Sequence, residues 1–220
     1  MTKIFNKDEG FTGLEAAIVL IAFVVVAAVF SYVVLGAGFF TTQKAQQVIY
    51  TSVDQASSSV EIMGDVYGIN LTNPVSSSPY AGYNYIRFTV GLTSGGSPVD
   101  FSQTTMAFSS QNYDDVEYLE NANTRAASPI TAKTTPADLT DSFITSGISE
   151  GQWGVVLINN GGDKTDLLLE NQEQFVIYAD PTPLIVANEK INLEISPAVG
   201  TSYVVARKAP ARVGQVDALY

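Results

Sequence analysis

The chain has 220 residues, a length that fits one globular domain plus a long helix. It contains no cysteine and no histidine, which excludes disulfides, Cys/His zinc sites and catalytic couples built on imidazole. Its net charge of -11 argues against nucleic acid as a partner, because neutralising phosphates requires clusters of Lys and Arg. Only 15% of the residues are charged. Ser, Thr, Asn, Gln and Gly take their place, a composition common on extracellular β domains.

Residues 1–10 form a short charged leader in front of a long apolar run. Lys3 and Lys7 are the positive end that stays on the cytoplasmic side of a membrane. An ordinary secretory signal is cut after its apolar region. Here we predict cleavage before that region, between Gly10 and Phe11, so the mature chain would keep an apolar helix at its N-terminus. Such a helix leaves the membrane only for another apolar environment, of which a bundle of identical helices is the obvious example.

One long helix is predicted over residues 11–63. Thr12 and Glu15 fit a capping box at its start, and the apolar run that follows carries no further charge until Lys44. This run exceeds the roughly 20 residues needed to cross a bilayer. The second half continues as an amphipathic stripe that is predicted to stop at Gly64. The stripe consists of Ala45, Ile49, Val53, Ala56, Val60 and Met63.

Residues 64–220 are predicted to form an immunoglobulin-like antiparallel β-sandwich, with seven or eight short strands separated by turns. Some segments alternate apolar and polar side chains, and others are apolar on both faces, as central strands often are. The predicted strands cover residues 85–92, 104–109, 116–119, 153–158, 175–178, 190–195 and 203–207. The polar segment over residues 121–150 is either a long surface loop or contains a short helix that Thr135-Pro136 caps and that runs through Phe143. The predicted fold class is therefore α+β, a long hydrophobic N-terminal helix followed by a β-sandwich.

The segment KDEGFTGLEAAIVLIAFVVVAAVF, residues 7–30, resembles the N-terminus of archaeal flagellins, which are also called archaellins. The type IV pilins share the same cleavage before the helix. Residues 167–210 also resemble the closing strands of archaellins, whereas no resemblance is named for the region from roughly 65 to 150. The resemblance implies a structural subunit of the archaellum filament that polymerises through its N-terminal helix for swimming motility.

The resemblance also implies the partners of the chain. A prepilin-type membrane peptidase would remove residues 1–10 from a precursor inserted in the cytoplasmic membrane. Assembly and motor platform proteins would then add the subunit to an extracellular filament built from copies of this chain, alone or mixed with other archaellins.

In this family the fifth residue of the mature helix is a carboxylate placed beside a free amine. Glu15 occupies that place here, and the amine that cleavage creates at Phe11 is its implied partner. A lone carboxylate buried in hydrocarbon is strongly unfavourable, so a partner is needed. Capping of the helix start is an alternative role for Glu15, and both roles are compatible. The large apolar side chains predicted to mediate assembly are Leu14, Ile18, Phe23 and Phe30.

Few residues outside the helix are candidates for chemistry or modification. Asn70 begins an Asn-Leu-Thr sequon and is a predicted glycosylation site, although such sequons also occur by chance. Two acidic groups lack the spacing of an EF-hand loop, so we expect solvated edges or turns and no metal. They are Asp114, Asp115, Glu117 and Glu120, and Asp163 with Asp166. The sequence has no P-loop, nucleophile elbow or metalloprotease motif, which predicts a protein that is not an enzyme and uses no cofactor.

Three alternatives to the major filament subunit remain. A type IV adhesion pilin shares the N-terminal features but serves attachment. A minor archaellum component would have a similar β domain. A single-span binding ectodomain would keep its leader and stay in the membrane, so N-terminal sequencing of extracellular material separates it from a filament subunit.

Overall fold

The computed structural model of the chain describes residues 8–71, 81–124, 144, 147–161 and 166–220. Two compact units can be distinguished, Met1–Ser52 and Val53–Tyr220. The alternative short helix through Phe143 lies outside the described residues.

Helix α1 spans Asp8–Ser57, which confirms one long helix at the N-terminus. Its start differs from the expected one, because the backbone is already helical at Asp8. Thr12 therefore lies inside α1 rather than at its cap, and the predicted capping box does not begin the helix in the chain that still carries its leader.

The helix also ends six residues earlier than predicted, and the last two members of the predicted stripe belong to the β domain. Val60 is 3% exposed in a strand, and Met63 directly follows that strand. Ser57 and Ser59, at and just beyond the last helical residue, explain why α1 ends early. Ser57 Oγ lies 2.9 Å from Ser97 Oγ, and Ser59 Oγ lies 2.7 Å from Thr93 Oγ1. Serine hydroxyls compete with helical hydrogen bonding, and here the loop at residues 93–97 supplies their partners.

Twelve strands follow in the described part of the chain. They are β1 (Val60–Ile62), β2 (Val66–Ile69), β3 (Tyr85–Leu92), β4 (Val99–Asp100), β5 (Thr105–Ser110), β6 (Tyr113–Asn121), β7 (Gln152–Asn159), β8 (Leu168–Leu169), β9 (Gln174–Asp180), β10 (Lys190–Ser196), β11 (Tyr203–Lys208) and β12 (Val216–Leu219). All seven predicted strands are present, as β3, β5, β6, β7, β9, β10 and β11. The five that were not predicted have two to four residues each, too few to show a period of two.

Ten of these strands form one sheet in the order β11-β10-β5-β6-β7-β9-β3-β2-β12, with β1 paired to β3. The only parallel pair among the described strands is β6 with β7, and it joins them at two positions, Glu120 with Gln152 and Asn121 with Trp153. The sheet therefore folds into two layers at this narrow link. Inward side chains of both layers, such as Phe108 and Phe88, share one hydrophobic core. This confirms the predicted α+β class with an immunoglobulin-like, largely antiparallel β-sandwich.

The outer faces of the two layers differ. The face of β7 and β9 is covered, because Ile144 and Ile148 pack with Val156 and Val176 in a second buried cluster. The face of β10 and β11 carries alternating exposed residues, among them Val204, which is 54% exposed.

The C-terminal strand brings the two ends of the sheet order together. Strand β12 pairs with β2, and Tyr220 then exchanges two backbone hydrogen bonds with Lys208 at the end of β11. The N–H of Lys208 donates to the Tyr220 carbonyl at 2.6 Å, and the N–H of Tyr220 donates to the Lys208 carbonyl at 3.1 Å. The last residues therefore close the sandwich along one side.

Candidate assembly surface

The predicted assembly residues lie in the apolar stretch of α1, where large exposed hydrophobic side chains extend from Leu14 to Phe40. Leu14, Ile18, Phe23 and Phe30 are each between 59% and 74% exposed. By length and composition the helix over Gly13–Ser57 can cross a membrane. Its most apolar stretch of 18 residues has a mean hydropathy of 3.0. A soluble monomer does not maintain an exposed apolar surface of this size. The surface therefore requires either lipid or other apolar helices around it.

Glu15 is the one carboxylate in the apolar part of α1 for which the structure describes a side chain, and that side chain is exposed. Its implied partner, the amine of Phe11, does not exist in the uncleaved chain because Phe11 is in peptide linkage within the helix. The pairing of Glu15 with this amine stays a prediction.

The predicted cleavage site, Gly10–Phe11, lies in the first turn of α1. A peptidase that binds an extended backbone would therefore have to unwind this turn. Glycine lowers the cost of that unwinding because it has the weakest helix preference after proline.

Asn70 follows β2 and is 4% exposed, so the predicted acceptor side chain is packed inside the sandwich. Thr72, the third residue of its sequon, lies outside the described residues. The side-chain amide donates from Nδ2 to the Gly82 carbonyl at 2.5 Å. A glycan on Nδ2 would leave that nitrogen one N–H, and its attachment would require the buried side chain to reach solvent. Glycosylation at Asn70 stays a prediction.

The acidic groups occupy strand edges and turns. Asp114 and Asp115 are exposed on β6, whereas Glu117 accepts hydrogen bonds from the Thr182 hydroxyl and from Thr182 N, the latter at 3.1 Å. Asp166 accepts a hydrogen bond from Leu168 N at 2.8 Å, and Asp163 lies outside the described residues. No group of three or more acidic side chains in the described ranges is arranged to hold a metal ion.

One unusual carboxyl group, Asp180 at the end of β9, was not predicted. It is 8% exposed, and burial raises its pKa to about 7. A hydrogen bond with Tyr85 lowers this pKa, while the charges of Glu150 and Glu117 raise it further. No local pattern marks Asp180, because its neighbours come from strands distant in the sequence.

These features together define a class of protein. An exposed helix of membrane-spanning length, followed by a β-sandwich, is typical of subunits that assemble through an apolar N-terminal helix.

Comparison with known proteins identifies the family within that class. The family described as archaeal-type flagellin matches residues 10–207. The chain belongs to this family, which confirms the resemblance seen at both ends of the sequence.

Individual relatives agree with this assignment. Probable flagellin 1 of Archaeoglobus fulgidus is 34% identical over 223 residues, which cover 99% of this chain and 98% of the relative. The 24 kDa flagellin of Methanospirillum hungatei is 91% identical over 32 residues, covering 14% of this chain and all of that sequence. Among solved structures, the archaeal flagellum of Methanospirillum hungatei strain JF1 is similar with a TM-score of 0.63 and 31% identity. That match covers 94% of this chain and 98% of the flagellum chain.

Proposed function

We propose that this chain is a structural subunit of the archaeal flagellum filament, an extracellular polymer that serves swimming motility. The observation that carries the proposal is the fully exposed apolar helix α1 in a chain of the archaeal flagellin family. The relative in Methanospirillum hungatei that matches nearly the whole chain is itself an archaeal flagellum. The role is structural, and it assigns no reaction to the chain.

Polymerisation buries the apolar surface of α1 against the same surface of other copies. Leu14, Ile18, Phe23 and Phe30 are the side chains we assign to these contacts, which remove apolar area from water or lipid and fill the space between helices. Filament growth repeats one head-to-tail contact through a rotation that does not close. The partner in the filament is therefore another copy of this chain or a related flagellin.

Processing precedes assembly in this proposal. A prepilin-type peptidase cleaves the membrane-inserted precursor between Gly10 and Phe11. The new amine at Phe11 then neutralises Glu15, on the same helix or a neighbouring one, when both enter the apolar bundle. Assembly platform and motor proteins supply the energy and the torque, since this sequence has no nucleotide-binding motif.

Family membership favours a flagellum subunit over an adhesion pilin. Whether the chain is a major or a minor component is decided by its stoichiometry in purified filaments. The same family membership disfavours a single-span binding ectodomain.

N-terminal sequencing of sheared surface filaments tests the proposal. We expect the filament subunit to begin at Phe11. Filaments that lack this chain would refute the filament role. A filament subunit that begins at Met1 would refute the processing step, and untrimmed chains found only as dispersed membrane proteins would refute both.

A further inference from the structure

The four-stranded layer β11-β10-β5-β6 has edges of opposite charge. We call the edge formed by β11 and the start of β10 the basic edge, and it comprises Lys190, Val204, Arg207, Lys208 and Tyr220. We call the opposite edge, on β6, the acidic edge, and it comprises Tyr113, Asp114, Asp115, Val116 and Tyr118.

The basic edge is concave. A shallow cavity of about 210 Å³ opens there, and its lining includes Lys190, Arg207, Lys208 and Tyr220. In a chain of net charge -11, cations are scarce. The described Lys and Arg residues outside this edge are Lys44, Arg87 and Arg212.

The acidic edge contains a β-bulge. Between the pairs Phe108 with Glu117 and Ser110 with Tyr113, strand β6 has two more residues than β5. The extra residues form a bulge over Asp114–Val116, and bulges re-aim side chains at sheet edges. Both aspartates are exposed, Val116 is 57% exposed, and Tyr118 is 79% exposed.

We infer that the acidic edge of one copy of this chain docks into the cavity at the basic edge of the next copy. This inference rests on the proposed function, because it describes a lateral contact within the filament. A head-to-tail contact joins two different patches of the same chain and, when its rotation does not close, generates a helical polymer. The two edges meet this requirement because they lie on opposite sides of one layer and are complementary in charge.

Opposite charges at this contact offset the repulsion between negatively charged copies of the chain. Copies that each carry a charge of -11 repel one another, and salt screens that repulsion only partly at contact distance. Pairing Asp114 and Asp115 with Lys190 and Lys208 turns one site of repulsion into attraction and fixes the register. The adjoining Tyr and Val side chains supply apolar area around the charges. The contact is made by side chains, since a bulged and acidic edge resists pairing with another strand.

Charge reversal in cells that make filaments only from this chain tests the contact. The acidic-edge variant carries Asp114→Lys and Asp115→Lys, and the basic-edge variant carries Lys190→Glu and Lys208→Glu. We expect each to lower the yield of sheared filament at least about tenfold, because like charges then face each other. The combined fourfold variant keeps the net charge, and we expect it to restore most of the yield. A matched control, Glu61→Lys with Glu170→Lys, changes two exposed carboxylates elsewhere and should leave the yield close to that of the unaltered chain.

Immunoblots of the membrane fraction report whether each variant accumulates before assembly. Full yield from both single-edge variants overturns the contact, and so does a fourfold variant that accumulates in the membrane without restoring filaments. If the unaltered chain forms no filament, the proposed function fails and this contact fails with it.

Cysteine cross-linking gives an independent test, since the native chain has no cysteine. We expect filaments of the variant Asp115→Cys with Lys208→Cys, treated with diamide as oxidant, to give a ladder of disulfide-linked multimers. Each single-cysteine variant should remain monomeric in denaturing gels. Double-cysteine filaments that stay monomeric after oxidation overturn the contact while leaving the filament role intact.

Discussion

Asp180 shows how a single carboxyl group makes the β domain sensitive to pH. Its pKa rises from an ordinary 3.8 to about 7 in the fold, chiefly because the group is buried. The folded domain therefore holds more protons than the unfolded chain between these two values. The stability contributed by Asp180 is fully present below about pH 4 and is lost as the pH rises through about 7.

We expect Asp180→Asn to raise the melting temperature at pH 8, where the native carboxylate is ionised and buried, and to flatten its dependence on pH between 5 and 8. Circular dichroism of the purified full chain in detergent measures both effects. Asp65→Asn, which changes an exposed aspartate in a turn, is the control and should leave the pH dependence unchanged. A pH dependence that survives in Asp180→Asn would contradict the assignment.

Glu15 is a second residue whose role depends on its charge. Glu15→Gln keeps the shape of the side chain but cannot pair ionically with the amine of a cleaved Phe11. We expect a severalfold loss of filament with normal leader cleavage, measured by filament yield and N-terminal sequencing. Glu61→Gln on β1 serves as the control. A normal yield from Glu15→Gln would argue against the pairing.

At the scale of elements, the loop between β10 and β11 holds the backbone where the chain passes from α1 into the sandwich. Ser58 is 2% exposed, and its carbonyl accepts a hydrogen bond from Thr201 N at 3.3 Å. The adjacent Gly200 has φ = 111°, a conformation that favours glycine, and a Cβ atom there would overlap the Ser58 carbonyl oxygen. The β10–β11 loop thus fixes the backbone that follows the helix.

Gly200→Ala should therefore lower the free energy of unfolding of the β domain by about 2 kcal/mol or more, from backbone strain and steric overlap. Gly95→Ala is a matched control, because Gly95 also has positive φ, at 80°, but open space around it. We expect Gly95→Ala to lower the free energy of unfolding by about 1 kcal/mol, because alanine disfavours the left-handed backbone conformation. Denaturant unfolding of the full chain measures the difference, and equal effects of the two substitutions would contradict the steric account.

At the scale of the whole molecule, the C-terminal strand completes a sheet whose other strands come from much earlier in the chain. Asp217 on β12 accepts a hydrogen bond at 2.6 Å from the hydroxyl of Tyr83, and a second at 2.5 Å from Gly214 N. Tyr83 is fully buried, and burial followed by the bond to Asp217 raises its pKa. Strand β12 therefore holds the β2 side of the sandwich through both backbone pairing and a partly buried polar contact.

Removing residues 215–220 should abolish stable folding, because it leaves the Tyr83 hydroxyl without this partner and unpairs one edge of β2. Removing Tyr220 alone breaks only the two bonds to Lys208 and should be tolerated much better. Subunit abundance and protease resistance in the membrane fraction compare the two. Normal abundance of the longer truncation would show that β12 is dispensable.

Much of this architecture can be predicted from local patterns. The apolar run of α1 and the alternation in β3 and β10 repeat over many residues, so a helix and strands follow from periodicity alone. Short strands such as β4 and β12 contain at most two full repeats of the two-residue period. Similarly, Ser57 and Ser59 look like ordinary helical surface residues until Ser97 and Thr93 come within hydrogen-bonding distance.

By itself, the sequence determined that this chain contains a long apolar helix followed by strands and has no imidazole or thiol side chains. These properties depend on residue type and spacing, which are local. Only the tertiary structure decided where the helix ends, that β12 pairs with β2, that Asp180 is buried, and that cations and carboxylates occupy opposite edges of one layer. Those properties depend on which distant segments meet, because burial and hydrogen-bond partners are set by contacts across the fold.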